Sequence, residues 1–302
     1  MAITAGMVKE LREMTGAGMM DCKKALTETN GDMDAAVEVL RKSGAAKMEK
    51  KQSRIAAEGI ARVAVNGNVA VVAEVNSETD FVAKNETFQE FVQTVADTAL
   101  ASGLNGGANG EDIDALLATN GLSELLVEKT ATIGEKLSVR RFAKVTGDVV
   151  TSYIHGGGRI GVIIAANGAT DDAAKEAITN IAMQVAAMSP KYVSRQEVAQ
   201  DYLDHEKEIL LAQAKKENPE KPDNIIEKMI IGRLNKELKE ICLLDQVYVQ
   251  DSDLTVAKYV DKVAKENGAN VTVTKFVRFE TGEGLEKKVD DFAAEVAAQA
   301  GM

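Results

Sequence analysis

The sequence predicts an α+β fold with a small helical region, two related sheet-and-helix units and a protruding helical hairpin. A β-hairpin pattern followed by a helical pattern occurs twice, at residues 56–102 and again at 145–188. Long runs rich in Ala, Glu, Lys and Leu, with three prolines in 302 residues, indicate much helix. We therefore expect a three-helix region at 1–55, core subdomains at 56–144 and 145–281, a hairpin insertion at about 195–240 and a C-terminal helical module at 282–302.

The composition is that of a globular protein with an acidic balance of charge. Hydrophobic residues make up 45% and charged residues 27% of the chain, which is ordinary for such proteins. The 36 Lys and Arg against 47 Asp and Glu give a net charge of −11, which argues against direct nucleic-acid binding. The start of the chain lacks a signal-peptide pattern, and the apolar runs are too short for a membrane span. We expect a cytoplasmic protein without a membrane segment, with free thiols at Cys22 and Cys242.

Residues 1–55 carry the pattern of three helices around a small core. Thr4 can cap the first helix. One face of that helix carries Val8, Leu11 and Met14. Asp32 can cap the third helix, and we expect Gly44 to close it. The basic stretch 41–54 is then a solvated helix or a linker to the next unit.

A glycine-rich bend, Gly16-Ala17-Gly18, precedes two adjacent methionines, Met19 and Met20, and a second helix from about Asp21 to Glu28. At least one methionine should face outward, because neighbouring side chains at a helix start point in different directions. Methionine is adaptable and common at recognition surfaces. Either the pair plugs the small core or it forms part of a contact surface.

The segment 69–84, VAVVAEVNSETDFVAK, begins as a strand rich in β-branched residues and stops at a polar turn. A hairpin turn of the Asn-Gly type at 66–68 joins it to a preceding strand at 59–65. A helix follows from about Glu86, then a flexible glycine-rich loop at 103–110 and two short helices at 111–137. The helix has apolar residues at helical spacing: Phe88, Phe91, Val92, Val95 and Leu100.

Phe81 stands in the middle of that polar turn, in a chain with 4% aromatic residues. Thr79 can cap a short helix that begins at Asp80. Phe81 either folds back onto its own core or projects as an apolar wedge beside the Asp80 carboxylate, aimed at a partner.

The second unit repeats the first, with strands at 149–155 and 159–167 and a helix from Ala174 to Met188. Its turn places glycines at 156, 158 and 161, the spacing of a dinucleotide-binding fingerprint. That fingerprint needs a strand before it and a helix after it, whereas these glycines join two strands. We therefore exclude cofactor binding there and expect no cofactor.

Two long helical patterns, at 195–217 and 223–241, flank a Pro-containing turn and predict an antiparallel hairpin. Its facing residues are expected to be Val198, Tyr202, Ile209 and Leu210 on one arm and Ile225, Met229, Ile230 and Leu234 on the other. A helix at 254–267, a strand at 271–279 in the second sheet and a terminal helix from Leu285 complete the chain.

Sequence motifs of catalysis are not found: there is no phosphate loop, Ser nucleophile elbow or His-Glu-x-x-His. Glu74, Glu78 and Asp80 could lie on one side of an extended segment and hold Mg²⁺, which keeps a metal-dependent hydrolase open as an alternative. A scaffold that binds ubiquitin-like folds through the three helices is a second alternative. The projecting elements favour an interaction protein over an enzyme.

Two long passages resemble signatures of the bacterial translation elongation factor Ts family: LREMTGAGMMDCKKAL at 11–26 and EVNSETDFVAK at 74–84. The order of the pieces also matches that family, which has a ubiquitin-associated-like three-helix domain, a two-part core, a helical hairpin with coiled-coil character and a C-terminal module. The similarity covers the whole chain.

The resemblance implies a guanine-nucleotide exchange factor for elongation factor Tu, a GTPase, with no bond chemistry, cofactor or metal of its own. It implies a tip that inserts near the partner's Mg²⁺ and switch region, with Phe81 as the wedge. The residues of that tip are Thr79, Asp80, Phe81 and Val82.

The resemblance further implies that Arg12, Met19 and Met20 grip a helix of the GTPase domain. His155 would meet a different domain of the partner. The hairpin would contact that domain or a second copy of the chain, giving a homodimer or a 2:2 complex, and the C-terminal helix would touch the GTPase domain.

Overall fold

The computed structural model of the chain describes residues 3–268 and 270–287. It combines helices with antiparallel sheets, which confirms the α+β class. The terminal helix expected from Leu285 lies almost wholly at 288–302, outside the described residues. Among the described residues, no helix is long and apolar enough to cross a membrane.

Three helices open the chain: α1 (Ala5–Thr15), α2 (Met19–Glu28) and α3 (Met33–Lys51). Thr4 Oγ1 accepts a hydrogen bond from the Met7 amide at 3.3 Å, and Asp32 Oδ1 accepts one from the Ala35 amide at 2.9 Å, so both predicted caps are confirmed. The small core includes Val8, Leu11, Cys22, Ala25, Leu26 and Ala36. Of the three residues predicted to share one face of α1, Val8 and Leu11 are buried in this core, whereas Met14 is 58% exposed.

The expectation that Gly44 closes α3 is wrong. The helix continues to Lys51 and packs against α7 (Leu122–Ile133). Gly44 lies at the crossing, where an added Cβ would stand 3.3 Å from Val127 Cγ1. The glycine therefore permits close approach of two helices, and the basic stretch is helix as far as Lys51 rather than linker.

The first sheet contains β1 (Glu58–Asn66), β2 (Val69–Ser77), β3 (Gly106–Gly107) and β4 (Ser138–Thr146) in the order β1-β2-β4-β3. The predicted hairpin is confirmed, since Asn66 pairs with Val69. One face of this sheet packs against α5 (Glu86–Ala101), α6 (Ile113–Leu117) and α7. Strand β4 was not predicted, and the supposed loop at 103–110 contributes β3, which pairs with Phe142 and Ala143.

The second sheet contains β5 (Val149–His155), β6 (Ile160–Gly168) and β9 (Val271–Glu280) in the order β5-β6-β9. Helix α8 (Asp172–Met188) covers its outer face. The inner faces of the two sheets pack together through a core that includes Ala61, Val72, Ala143, Ile163 and Phe279. The fold therefore has four layers, helix, sheet, sheet and helix, and the predicted place of the last strand in the second sheet is confirmed.

The glycines with fingerprint spacing serve the packing of the sheets. Gly156–Gly158 form a short 3₁₀ turn between β5 and β6. Gly158 has φ +110° and lies where a Cβ would be 2.8 Å from Ile60 Cβ. A Cβ on Gly161 would be 2.9 Å from Val72 Cγ2, across the sheet interface. No helix begins after these glycines, which agrees with excluding a dinucleotide site.

The predicted hairpin is present as α9 (Gln200–Glu217) and α10 (Asp223–Ile241). The Tyr202 hydroxyl donates to Glu237 Oε1 at 2.5 Å across the two helices. Buried Ala214, Ile226, Ile230, Leu234 and Leu238 form the contact. The inward positions expected for Ile209 and Ile225 are wrong, because their side chains are 37% and 38% exposed.

A small sheet follows the hairpin, made of β7 (Val247–Tyr248) and β8 (Asp251–Thr255), and then α11 (Val256–Asn267). The helix expected from Leu254 begins two residues later. The reason is that Thr255 caps it, with Oγ1 accepting from the Lys258 amide at 3.3 Å.

Candidate partner-binding site

The tip that follows β2 is a single short helix, α4 (Asp80–Ala83). Thr79 caps it as predicted, with Oγ1 accepting from the Val82 amide at 3.4 Å. Phe81 is 79% exposed, the largest exposed fraction among the large hydrophobic residues described. Val82 instead packs partly buried against the core of the first sheet. Of the two alternatives for Phe81, the structure shows the projecting one.

Asp80 carries a negative charge directly beside this aromatic ring. Lys84 Nζ donates to Asp80 Oδ2 at 2.6 Å and lies 5.9 Å from the centroid of the Phe81 ring. The hydrogen bond from Lys84 holds the pKa of the Asp80 carboxyl below its ordinary value. Both side chains are largely exposed, and an exposed ion pair of this kind is weak. The Asp80 carboxylate is therefore ionised at neutral pH and can exchange Lys84 for another partner.

A carboxylate far away in the sequence holds the base of the tip. Glu135 Oε2 accepts from the amides of Glu78 and Thr79, both at 3.0 Å, and Glu135 Oε1 accepts from the Thr79 hydroxyl at 2.7 Å. In return, Glu78 Oε1 accepts from the Lys136 amide at 2.5 Å. We call these reciprocal bonds between 78–79 and 135–136 the clasp.

The end of α3 supports the clasp from a second side. Lys136 Nζ donates to the carbonyl oxygens of Gln52 and Arg54 at 2.7 and 2.8 Å. The Arg54 guanidinium donates to Glu78 Oε1 at 3.1 Å. Glu135, Lys136 and Arg54 were not predicted from the sequence as neighbours of the tip. The available signal was weak: Glu135 follows Gly134, which ends α7 in a left-handed conformation.

The three carboxylates considered for Mg²⁺ do not meet. Glu74 is fully buried and accepts from Arg140 at 2.9 Å, Glu78 belongs to the clasp, and Asp80 faces Lys84. Among the residues that the structure describes, no group of three or more His, Cys, Asp or Glu could hold a metal ion. The arrangement required by the hydrolase alternative is thus contradicted.

Met19 and Met20 form the first turn of α2 and are 59% and 75% exposed. The interpretation in which both plug the small core is therefore wrong. Arg12 is exposed in the last turn of α1, on the other side of the glycine bend, where its carbonyl accepts from the Gly16 amide at 2.8 Å. Met14 adds a further exposed apolar side chain at the end of α1.

His155 ends β5, directly before the glycine turn, and is exposed. Its Nδ1 lies 3.2 Å from the Tyr153 hydroxyl, which belongs to the same strand. The ring is therefore oriented by a neighbour in its own strand while the residue remains exposed. His155 belongs to the second sheet, whereas the tip extends from the first.

Comparison with known proteins points to one family. A sequence model described as Elongation factor TS matches residues 78–283. A curated protein named Elongation factor Ts from Clostridioides difficile (strain 630) is 53% identical over 306 residues, covering 98% of this chain and 98% of the relative. Another of that name, from Trichlorobacter lovleyi, is 48% identical over 318 residues and covers 100% of both chains. The tip residues lie inside the matched region, and Met19 and Met20 lie inside the span shared with the second relative.

Proposed function

The chain belongs to the elongation factor Ts family, and we propose how it carries out the activity of that family, nucleotide exchange on elongation factor Tu during translation elongation. An exchange factor breaks and forms no covalent bond, so the relevant quantity is binding. The observation that carries the proposal is the exposed Phe81 on a helix turn whose base is held by the clasp. We further propose that it acts in the cytoplasm, where elongation takes place.

Thermodynamic linkage sets what the site must achieve. If this protein weakens GDP binding by some factor, GDP weakens binding of this protein by the same factor. Turning a population from mostly nucleotide-bound to mostly nucleotide-free takes about 5.5 kcal/mol of differential affinity. Burial of one Phe supplies about 1.5–3 kcal/mol. More than one contact is therefore required, and the exposed groups fall into separate surfaces.

We assign the disruptive role to the tip, Thr79 to Val82. Phe81 enters the GTPase domain as an apolar wedge near the Mg²⁺ and switch region, and the ionised Asp80 beside it adds negative charge close to the nucleotide's phosphates. Val82 and Thr79 keep the turn in place, since one packs on the core and the other caps α4. No step requires a metal or cofactor held by this chain.

We assign the affinity role to the surface of Arg12, Met19 and Met20. Two flexible apolar side chains beside a guanidinium suit the side of a helix in the GTPase domain. Helices α1–α3 would form the ubiquitin-associated-like domain that presents this surface. His155, from the second sheet, would contact a different domain of the partner and so fix its orientation.

The helical hairpin is proposed as a further contact, with that other domain or with a second copy of this chain. Ile231 on α10 is 60% exposed and fits such a role. Sedimentation of the protein alone and of its complex would distinguish a homodimer or 2:2 complex from a 1:1 complex. A 1:1 complex that an Ile231→Glu variant leaves unchanged in affinity would exclude the hairpin contact.

The activity is tested by release of a fluorescent GDP from elongation factor Tu in excess unlabelled GDP, with and without this protein. We expect an acceleration that grows with protein concentration and saturates. Absence of acceleration by well-folded protein would reject the exchange activity and bring forward the scaffold alternative, in which the three helices bind ubiquitin-like folds.

A further inference from the structure

The geometry points to Glu135 as a positioning residue of the exchange tip, acting through Thr79 on the orientation of Phe81. This inference rests on the proposed function of the tip and adds a residue 54 positions away from Phe81 in the chain. Glu135 does not itself reach the exposed face of the tip; its carboxylate faces the backbone behind it.

The Thr79 hydroxyl links two hydrogen bonds, one to Glu135 in the clasp and one to the Val82 amide in α4. The Thr79 hydroxyl has one hydrogen, which it donates to Glu135 Oε1 at 2.7 Å. Its lone pairs then remain free to accept from the Val82 amide at 3.4 Å, the bond that caps α4. The carboxylate of Glu135 thus sets the direction of the hydroxyl that orients the turn carrying Phe81.

The tip needs such support because α4 has four residues and buries none of them fully. A helix of this length has almost no stability from its own hydrogen bonds. The same Glu135 carboxylate satisfies the amides of Glu78 and Thr79, which precede the helix and cannot bond within it. A carboxylate acceptor makes these bonds stronger than neutral ones. Without the Glu135 carboxylate, the residues of the tip should populate several conformations, of which the helical turn is one. Binding to the partner must then order the tip first, at a cost in free energy.

The consequence is specific to the wedge. Loss of the Glu135 carboxylate should lower the saturating rate of GDP release about tenfold, which equals ~1.4 kcal/mol. The concentration of this protein that gives half the maximal effect should change less than about threefold, because the surface of Met19 and Met20 supplies separate affinity. Glu135→Gln should lie between Glu135→Ala and the unmodified protein, since an amide keeps one acceptor oxygen.

The test is a double-mutant cycle between Glu135→Ala and two changes of Phe81, to Ala and to Leu. The Leu variant keeps part of the rate, so that a further decrease stays measurable. If Glu135 acts through Phe81, Glu135→Ala should lower the rate far less in either Phe81 background than in the unmodified protein. Amide hydrogen exchange of the free protein should also show faster exchange at Glu78, Thr79 and Val82 in Glu135→Ala.

Glu128→Ala serves as the matched control, because Glu128 lies on α7 and its carboxylate contacts Lys129 at 3.2 Å, away from the tip. Thermal melts of all variants separate misfolding from the local effect. Equal decreases by Glu135→Ala in every Phe81 background would overturn the inference and indicate a general structural role. A normal rate in Glu135→Ala with a reduced rate in Phe81→Ala would reject the inference alone. A normal rate in Phe81→Ala would reject both it and the wedge.

Discussion

The carboxylate of Glu74 and the guanidinium of Arg141 form an ion pair inside the protein, with Arg141 Nε 2.5 Å from Glu74 Oε2. The side chain of Glu74 is 0% exposed and that of Arg141 is 7% exposed. Arg141 also lies over the ring of Phe279, 4.2 Å from its centroid. The amide of Gly282 donates to Glu74 Oε1 at 2.8 Å. One ion pair therefore connects β2 and β4 of the first sheet with the end of β9 in the second.

Replacing Glu74 by Ala should destabilise the protein by about 3–5 kcal/mol, because it removes the buried counter-charge of Arg141 and leaves that guanidinium only the exposed Glu283. The free energy of unfolding, measured by denaturant titration, checks this value. Glu283→Ala is the control: Glu283 meets the same Arg141 at 3.2 Å but is 52% exposed, so its removal should change stability by less than about 1 kcal/mol. Equal effects of the two substitutions would contradict the role of burial.

The same pair explains why the sequence did not reveal β4. A half-buried strand is recognised from alternation of apolar and polar residues. In β4, Arg140 and Arg141 stand side by side, and Arg141 is buried. Its partner Glu74 lies 67 positions earlier, so no local pattern indicates that a charged residue there faces inward. Strand β6, which has no charged residue, was predicted from the sequence, and so was β2, in which the single charged residue Glu74 stands among Val and Ala.

Phe81→Ala should leave stability within about 0.5 kcal/mol of the unmodified protein, because the side chain is exposed. It should lower the acceleration of GDP release roughly 10–100-fold, the equivalent of about 1.5–3 kcal/mol of apolar burial. Binding to nucleotide-free elongation factor Tu should remain measurable. Val65→Ala, at a 45% exposed site on β1, should leave the rate unchanged. An unaltered rate in Phe81→Ala would refute the wedge.

The combined change Met19→Ala and Met20→Ala should weaken the complex roughly 10–100-fold through lost apolar burial. Both side chains are exposed, so thermal stability should be unaffected. Titration calorimetry with elongation factor Tu checks the affinity. Met188→Ala, a 47% exposed methionine at the end of α8, is the control. Affinity equal to that of the control variant would remove this surface from the proposal.

Truncation is a poorer test of the same surface. Deleting residues 1–55 would remove the three helices, but it would also remove Arg54 and Gln52, which contact Glu78 and Lys136 of the clasp. A weaker complex after this deletion would therefore combine loss of the methionine surface with disturbance of the tip. The point substitutions separate the two effects.

The local sequence pattern predicted residues of the tip better than it predicted the distant residues that hold the tip in place. Thr79 as a cap follows from neighbouring residues, because turn and cap chemistry acts over a few positions. The same residues left two alternatives for Phe81, and the structure shows the exposed one. Glu135 contacts the tip across 56 positions, and Gly44 meets Val127 in another helix. Glycine in a helical pattern ordinarily suggests an end, whereas close helix packing, invisible in one sequence, explains Gly44.

Substitutions at Gly44 should show that it sits at a helix crossing. Gly44→Ala gains about 1 kcal/mol of helix propensity, but its Cβ would stand 3.3 Å from Val127 Cγ1, so its net effect should be close to zero. Gly44→Leu should destabilise by about 1–3 kcal/mol through overpacking. Unfolding titrations check both values. A stabilised Gly44→Leu variant would show that the helix surface there is free rather than packed.

The pH dependence of stability should reveal the pair of Glu280 and Arg278 at the end of β9. Arg278 donates to Glu280 Oε2 at 2.8 Å, and this bond lowers the pKa of the Glu280 carboxyl, against a smaller opposing effect of burial. Because the folded-state pKa is depressed, the contribution to stability is complete above the unfolded-state pKa of about 4.3. It is lost as pH falls through the folded-state value.

Unfolding free energies of the unmodified protein and of Glu280→Gln should therefore differ by a constant amount between pH 5.5 and 7 and converge as pH falls below about 4. The plateau should be less than about 1 kcal/mol, since a third of the Glu280 side chain is exposed and screened. Glu220→Gln, exposed in the hairpin turn, controls for the loss of one charge from an acidic protein. A difference that grows toward low pH would mean that burial raises the pKa of Glu280 more than Arg278 lowers it.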